Sequence, residues 1–280
     1  MQMKYINGLK NNMELSIVIL NYNNKNLVKE LLKNLTELNI SYQYEIIVVD
    51  NASYDGIKDI IKEKFPNIKF IQSDKNGGFA SGNNLGIKEA QGKYIMIMNP
   101  DLAILSDAID KLYQYMENNL EVALAGPRLI NADKSVQPSC TTLPDWKLPM
   151  YRRTSLANTK AGKKWLDKYL MKDLDHYKNN YVPALFGACL IFRRDALDKV
   201  GLLDERYFMY LEDLDWSRRF WQNGYKVAYV GEAEIIHLHR RQSAAQGLLK
   251  TLFSKTARNH IISFVKYLLK FKGQKLPKIS

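Results

Sequence analysis

Three short apolar runs mark the first hundred residues: Leu15-Ser-Ile-Val-Ile-Leu20, Tyr44-Glu-Ile-Ile-Val-Val49 and Tyr94-Ile-Met-Ile-Met98. Each carries large or β-branched apolar side chains at nearly every position, the pattern of a strand covered on both faces, as in a parallel sheet. Segments of helical period lie between them. Asn26 to Leu38 sets Leu27, Leu31, Leu32 and Leu35 on one face. Ile57 to Phe65 reads as a second helix, stopped by Pro66. Asn67 to Gln72 reads as a further strand, and Ser81 to Ala90 as a third helix with Gly92 just beyond it. This alternation predicts an α/β fold with a Rossmann-like half sheet.

The second half is less regular. Asp107 to Asn118 has helical period and Val122 to Ala125 reads as a strand. Pro138, Pro144 and Pro149 mark residues 131–159 as loop. Ala188 to Phe192 reads as a strand after the Gly187 turn. A helix is predicted from Glu212 to the stop signal Asn223-Gly224, and Tyr225 to Val230 as a strand behind it. No internal repeat is present. The reading divides the chain into a leader (1–13), a domain (14–243) with halves 14–101 and 102–243, and an extension (244–280).

Charge changes the picture only at the C-terminus. Of the formal net +12, residues 241–280 supply nine Lys or Arg and no Asp or Glu, leaving the rest nearly balanced. Ile261, Phe264, Val265, Leu268 and Leu269 follow i, i+3, i+4, i+7, i+8 spacing, so this end reads as a basic amphipathic helix. Two readings stand. The helix docks on an anionic inner membrane surface, or it packs on its own body or on a second copy in a homodimer. Leu248, Leu249, Leu252 and Phe253 suggest a similar segment before it. A nucleic-acid scaffold is the less favoured use of the charge, and no nucleic-acid partner is expected. The two cysteines, Cys140 and Cys189, form no CxxC pair and read as reduced thiols. No apolar run approaches the ~20 residues that span a bilayer, and the N-terminus lacks a signal-peptide core. The expected setting is cytoplasmic, peripheral to the membrane.

In an open α/β sheet ligands bind at the C-terminal strand ends. Those ends carry Asn21-Tyr22-Asn23, Asp50-Asn51-Ala52-Ser53 and Asn99-Pro100-Asp101. Between the last two lies Asn76-Gly77-Gly78-Phe79-Ala80-Ser81-Gly82-Asn83-Asn84. Two adjacent glycines opening a helix predict backbone N–H groups directed at a phosphate. Taken singly, each set reads as a turn or cap; together, at successive strand ends, they predict a nucleotide site. Glu212-Asp213 reads either as a catalytic carboxylate pair or as acidic first-turn residues favoured by the helix dipole. Arg193-Arg194 and Arg240-Arg241 read as diphosphate contacts or as structural pairs. Trp216 and Trp221 are expected in the core.

These motifs, with Gly187-Ala-Cys-Leu-Ile191 and Asp204-Glu-Arg-Tyr-Phe-Met-Tyr-Leu-Glu-Asp213, resemble glycosyltransferase family 2 over residues 14–243, and within it the bacterial rhamnosyltransferase branch. The resemblance implies a GT-A fold with a mixed, mainly parallel sheet, flanking helices and a helical C-terminal extension. It implies an inverting transferase using dTDP-L-rhamnose, or UDP-galactofuranose or a UDP-hexose, on a glycan or polyprenyl-linked acceptor in surface polysaccharide synthesis. Nucleotidyl transfer is the rival chemistry; its Gly-rich, Arg-containing loop near the first strand is missing. By resemblance Tyr22 lies against the base and Asp50 hydrogen-bonds it. Asn21, Asn23, Asn51, Asn76, Gly77, Gly78, Asn83 and Asn99 line the donor site. Asp101 matches the final Asp of the DxD metal motif, although Asn99 replaces the first. Asp101 with His237, and less strongly His239, would hold Mg²⁺ or Mn²⁺. Asp213 would be the base, with Glu212 contacting the acceptor or orienting the site.

Overall fold

In a computed structural model, residues 13–238 and 255–279 are described. The strands of the first half are β1 (Leu15–Asn21), β2 (Tyr44–Asp50), β3 (Lys69–Gln72) and β4 (Tyr94–Met98), with β5 (Leu102–Ile104) close behind. Between them run α1 (Lys25–Glu37), α2 (Ile57–Lys64) and α3 (Gly78–Glu89). β1 pairs in parallel with β2 and with β4, Leu15 standing opposite both Tyr44 and Tyr94, and β2 pairs in parallel with β3. The four predicted strands and three predicted helices are all present. α3 begins three residues before the predicted start, because Gly78 adopts φ +86° and turns the chain directly into the helix.

The second half supplies α4 (Ala108–Asn118), β6 (Val122–Ile130), β7 (Val136–Gln137), β8 (Cys140–Thr141), α5 (Leu148–Arg153), α6 (Lys160–Tyr169), β9 (Asn180–Tyr181), β10 (Ala184–Leu185), β11 (Cys189–Arg193), α7 (Leu197–Val200), α8 (Glu212–Gln222) and β12 (Lys226–His237). The main sheet runs β3-β2-β1-β4-β11-β6-β12-β5. β11 is antiparallel to both neighbours, and β5 is antiparallel to β12. The sheet is therefore mixed and mainly parallel in its first half, with helices on both faces.

Two sequence readings need correction. Residues 131–159 are not one loop: they hold β7, β8 and α5. β6 and β12 also run well past the apolar stretches that announced them. Beyond those stretches the two strands stay paired with each other. Arg128 stands opposite Glu234, their side chains bonded at 2.5 Å, after a register shift between Val230 and Glu234. One core cluster packs α1, α2 and α4 on one sheet face, and another packs α3 and α8 on the other. Trp216 and Trp221 lie in the second, as expected. Cys140 and Cys189 are buried free thiols, pushed up to about 12 by that burial.

The C-terminal helix, α9 (Lys255–Lys270), does not present its predicted stripe as one face. Phe264 packs on Leu148 and Tyr169, while Tyr267 and Phe271 pack on Tyr207, Leu211 and Leu214. Ile261, Val265 and Leu269 face outward. The helix has two apolar arcs: Tyr267, Leu268 and Phe271 extend the arc of Phe264 inward, leaving Ile261, Val265 and Leu269 on the far side. Lys270 is tied to Asp204 at 2.7 Å and Asp215 at 2.6 Å. The packing reading thus holds for one arc; the other keeps an exposed apolar surface. The expected segment around Leu248 to Phe253 lies outside the described residues, as do His239, Arg240 and Arg241.

Candidate active site

The strand ends β1, β2 and β4 converge on one edge of the sheet. Asn21 Nδ2 donates to Asp50 Oδ1 at 2.7 Å and to Ser53 Oγ at 2.9 Å, and its Oδ1 accepts from Asn24 N. Asp50 also accepts from Ser53 Oγ and from Gln72 Nε2. Burial pushes the Asp50 carboxyl up, but the hydrogen bonds from Ser53, Gln72 and Asn21 outweigh it and hold Asp50 below its ordinary value. The strand ends thus hold a fixed carboxylate at Asp50, while Tyr22, the residue after Asn21, is 45% exposed. Asn23 is exposed too, in a left-handed turn at φ +55°.

Asn51 Nδ2 donates to Asn76 Oδ1 and to the Gly78 carbonyl, each at 3.0 Å. Its Oδ1 accepts from Gly77 N, and Asn76 Oδ1 accepts from Gly78 N. Phe79 N donates to the Phe208 carbonyl at 2.9 Å. This corrects the phosphate reading of the paired glycines: all three successive N–H groups are already used within the protein. The glycine is needed for another reason. A Cβ on Gly78 would lie 2.0 Å from the Phe208 oxygen. The turn is a close contact between the first-half loop and the chain that leads into α8. Asn21 and Asn51 are buried, with their amides spent on holding Asp50 and this turn. Asn83 is buried within α3, where Nδ2 donates to the Phe79 carbonyl.

Asp101 and His237 come together from β4's end and the end of β12. His237 Nε2 lies 3.4 Å from Asp101 Oδ1, and Leu238 N donates to the Asp101 carbonyl. Gln137 on β7, which sequence reasoning missed, sets the imidazole. Its Nε2 donates to Asn131 Oδ1 and to the His237 carbonyl, so its Oε1 accepts from His237 Nδ1 at 2.9 Å. In the neutral ring this leaves Nε2 as an electron-pair donor facing a carboxylate. Two such donors facing each other, with the far ring nitrogen anchored, suit a divalent cation. Among the described residues no cluster of three or more His, Cys, Asp or Glu is arranged for a metal. The pair fits an ion that takes its remaining ligands from phosphate and water.

Glu212 and Asp213 open α8. The preceding Tyr210 and Leu211 both have φ +72°, a left-handed pair that costs on the order of 1–3 kcal/mol each and that no local sequence signal announces. The strain is held by long-range contacts: Leu211 is buried against Tyr267, and Ser263 Oγ donates to the Met209 carbonyl at 2.8 Å. Asp213 Oδ2 accepts from Gly187 N and Oδ1 from Leu214 N, each at 2.8 Å. The next residue, Ala188, accepts from Asn99 N, which links the base candidate to the Asn99-Pro100-Asp101 turn. Glu212 is buried, and its Oε2 has no hydrogen-bond partner among the described residues. Burial, and then the Asp213 charge, raises Glu212 well above a normal carboxyl; burial raises Asp213 too. The helix-dipole reading does not explain a buried acid with one carboxyl oxygen left unpartnered among the described residues.

Arg193 does not reach this edge. β11 runs antiparallel to β4, so its last residue pairs with Tyr94 at the start of that strand. There Arg193 donates to the carbonyls of Val122 and Met116 and to the Tyr94 hydroxyl. It is a structural residue, and the diphosphate alternative fails for it.

The Glycosyl transferase family 2 profile matches residues 16–201. The N-acetylglucosaminyl-diphospho-decaprenol L-rhamnosyltransferase of Mycobacterium tuberculosis is 28% identical over 212 residues, covering 72% of this chain and 68% of the relative. Rhamnosyltransferase WbbL of Escherichia coli is 24% identical over 261 residues, covering 90% and 91%. Among solved structures, GalNAc-T7 with UDP, GalNAc and Mn²⁺ superposes with a TM-score of 0.68 at 16% identity; the match covers 95% of this chain and 49% of that one, about half its length. PcManGT of Pyrobaculum calidifontis with GDP-Man and Mn²⁺ gives 0.59 at 16% identity, covering 95% and 66%. These likenesses show the GT-A fold. The strand-end motifs, the acid pair at the start of α8 and the profile match lead to one conclusion: the chain belongs to glycosyl transferase family 2 and is a glycosyltransferase.

Proposed function

We propose that the protein transfers L-rhamnose from dTDP-rhamnose, with inversion, onto a hydroxyl of a polyprenyl-linked glycan acceptor. The observation that carries this reading is the Glu212–Asp213 pair, the first buried and the second half-buried, bonded to the loops of the donor edge. Phe208 ties it to the Gly77-Gly78 turn, and Gly187-Ala188 ties it to Asn99. The rhamnose assignment is supported by the relatives from M. tuberculosis and E. coli; their acceptor and donor names belong to them.

The residues divide the work. Exposed Tyr22 stacks on the base, and Asp50, held ionised, accepts the ring N–H of a thymine or uracil. Glu212 keeps its proton, because a second negative charge beside Asp213 in a buried site is unfavourable. Asp213 is then the ionised partner, aimed by Gly187 N and Leu214 N, and it takes the proton of the acceptor hydroxyl as that oxygen attacks the sugar C1. The C1–phosphate oxygen bond breaks, and the nucleoside diphosphate leaves on the opposite face. Asp101 and His237 would hold Mg²⁺ or Mn²⁺ there, as suggested by the Mn²⁺ in the two structural neighbours. When bound, a divalent ion stabilises the charge that builds on the departing diphosphate.

Among the described residues no helix is long and apolar enough to cross a membrane. The outward arc of α9 (Ile261, Val265 and Leu269 with Arg258 and Lys272 nearby) would hold the enzyme against an anionic bilayer where such acceptors reside.

The test is a donor panel with a polyprenyl-diphosphate-linked sugar as acceptor. Release of dTDP matched by a rhamnosylated product, stopped by EDTA and restored by Mg²⁺ or Mn²⁺, is the expected result. Asp101→Ala should weaken metal-dependent donor binding. Preference for UDP-galactofuranose or a UDP-hexose would replace the donor assignment. Release of pyrophosphate would make the enzyme a nucleotidyltransferase. Full activity in excess EDTA would remove the metal.

A further inference from the structure

The helix α9 meets the chain before α8 along one side and in a fixed register. The His260 ring lies 4.9 Å from that of Tyr210, and Ser263 Oγ donates to the Met209 carbonyl at 2.8 Å. Lys266 Nζ donates to the Arg206 carbonyl, and Lys270 Nζ lies 2.7 Å from Asp204 Oδ2. The partners descend as the helix ascends, so the two segments lie antiparallel. At about 100° per residue these four positions share roughly a third of the helix circumference. Tyr267, on the same side, packs on Tyr207 and Leu211. The N-terminal part of α3 holds the same segment. Phe79 N donates to the Phe208 carbonyl at 2.9 Å, and Asn84 Nδ2 donates to the Leu203 carbonyl at 2.9 Å and to Glu205 Oε1 at 3.0 Å.

Ser263 and Lys266 grip backbone carbonyls, so they fix the path of the chain rather than the place of a side chain. That path ends in Tyr210 and Leu211, both at φ +72°, and a strained pair of this kind persists only where surrounding contacts over-determine it. Relaxing either residue to negative φ would redirect the chain as it enters α8, and with it Glu212 and Asp213. Asp213 depends on that direction, because its two oxygens accept from Gly187 N and Leu214 N, each at 2.8 Å. Ser263 is only 2% exposed; a hydroxyl so buried needs a partner, and the Met209 carbonyl supplies it. Lys270 brackets the acids, bonding Asp204 before them and Asp215 after them at 2.6 Å. The family profile ends at Gly201, so neither the gripped segment nor α9 falls within it.

We infer that α9 is part of the catalytic unit, with Ser263 and Lys266 as positioning residues that set Glu212 and Asp213 by holding the backbone of residues 206–211. The inference rests on the glycosyl-transfer reading for the task of the two acids. It moves the end of the working domain from residue 243, where the motifs stop, to the end of α9. A helix that served only to cover apolar surface would need Phe264, Tyr267 and Phe271, and the grips on the Arg206 and Met209 carbonyls would be superfluous.

The test uses the full chain, dTDP-rhamnose or the donor that the panel selects, and the polyprenyl-diphosphate-linked sugar as acceptor. Active molecules are counted by dTDP titration, so a loss of folded protein does not pass for slow turnover. Ser263→Ala should lower kcat about tenfold and Lys266→Met about threefold, the scale of one net hydrogen bond, with the donor KM within about twofold of the unaltered chain. Lys266 is exposed, so its variant should leave the fold intact, and Lys266→Arg, which can still donate to a carbonyl, should recover most of the rate. The pH profile separates positioning from bulk stability. Asp213 is faced by Glu212 and the Leu214 N–H on α8, by the Gly187 N–H, by Arg152 of α5 and by Tyr169 of α6. A base drawn away from the Gly187 and Leu214 N–H groups loses bonds that favour its ionised form, so the acid limb of kcat/KM should move up in Ser263→Ala. Amide hydrogen exchange should quicken over residues 204–214 while β1, β2 and β4 keep their protection. Unaltered kcat in the Ser263→Ala, Lys266→Met double variant would overturn the proposal. A slower rate with an unmoved limb and unchanged exchange at residues 204–214 would do the same. The two readings fail separately. A chain that transfers no sugar from any donor fails the glycosyl-transfer reading, and exchange at residues 204–214 still decides whether α9 holds that backbone.

Discussion

Gly78→Ala should damage turnover more than donor binding. Gly78 sits at φ +86°, where an L-residue costs about 1–2 kcal/mol. Its new Cβ would stand 2.0 Å from the Phe208 oxygen and 2.7 Å from the carbonyl carbon, backbone atoms that cannot rotate away. Loop and turn must separate by about 1 Å before the contact becomes one that packed atoms tolerate. That separation also breaks the Phe79 N–H bond to the same oxygen, worth about 1 kcal/mol. The expected loss of stability is about 2–4 kcal/mol, read as a lower urea midpoint with unchanged slope. Phe208 is followed within a few residues by Glu212 and Asp213, so the shift reaches the base. A displacement near 1 Å costs about 10²-fold in turnover. The donor KM should change much less, because the Gly77 and Gly78 N–H groups bond Asn51 and Asn76. A raised donor KM with normal kcat and normal stability would refute this reasoning and restore the phosphate role of the glycines.

Asp213→Asn should lower kcat by roughly 10²–10⁴-fold with donor binding retained, measured by single-turnover transfer and nucleotide titration. The base acts deprotonated and burial raises its pKa, so kcat/KM should fall as pH drops through a value above the ordinary carboxylate range; Glu212→Gln, which exchanges a protonated acid for a neutral amide, should leave that limb in place. Arg193→Met should destabilise by about 2–4 kcal/mol in urea, since it leaves buried carbonyls unpaired, while the folded enzyme keeps its donor affinity. Lys270→Met should cost about 1–3 kcal/mol and make the protein more acid-labile. Against the upward pull of burial, Arg206 and Lys270 hold Asp204 below its ordinary value, so the stability it contributes is present above the unfolded pKa and lost as pH falls through the folded one. An acid-unfolding midpoint unchanged in Lys270→Met would contradict that account.

Local pattern was sufficient wherever the physics is local. β1, β2 and β4 show in the sequence because a strand buried on both faces must be apolar at almost every position. The Asn99-Pro100-Asp101 and Asp50-Asn51 motifs are legible because a parallel strand must release its chain at the ligand edge. Glu212-Asp213 at a helix start is legible too, but not its burial, which depends on Leu211, Ser263 and Tyr267 from distant parts of the chain. Strand direction is likewise not a local property: β11 reads like its neighbours, yet its antiparallel course carries Arg193 to the far edge. The paired glycines signal a tight backbone approach, and only the fold decides that the partner is the Phe208 carbonyl. Periodicity identified α9 as amphipathic but could not divide its apolar residues between two surfaces, because that division depends on the shape of the body it packs against. The pairing of Asp101 with His237, oriented by Gln137, was equally a matter of tertiary structure: it requires β4, β7 and β12 to end at one place, which their separate sequences do not encode.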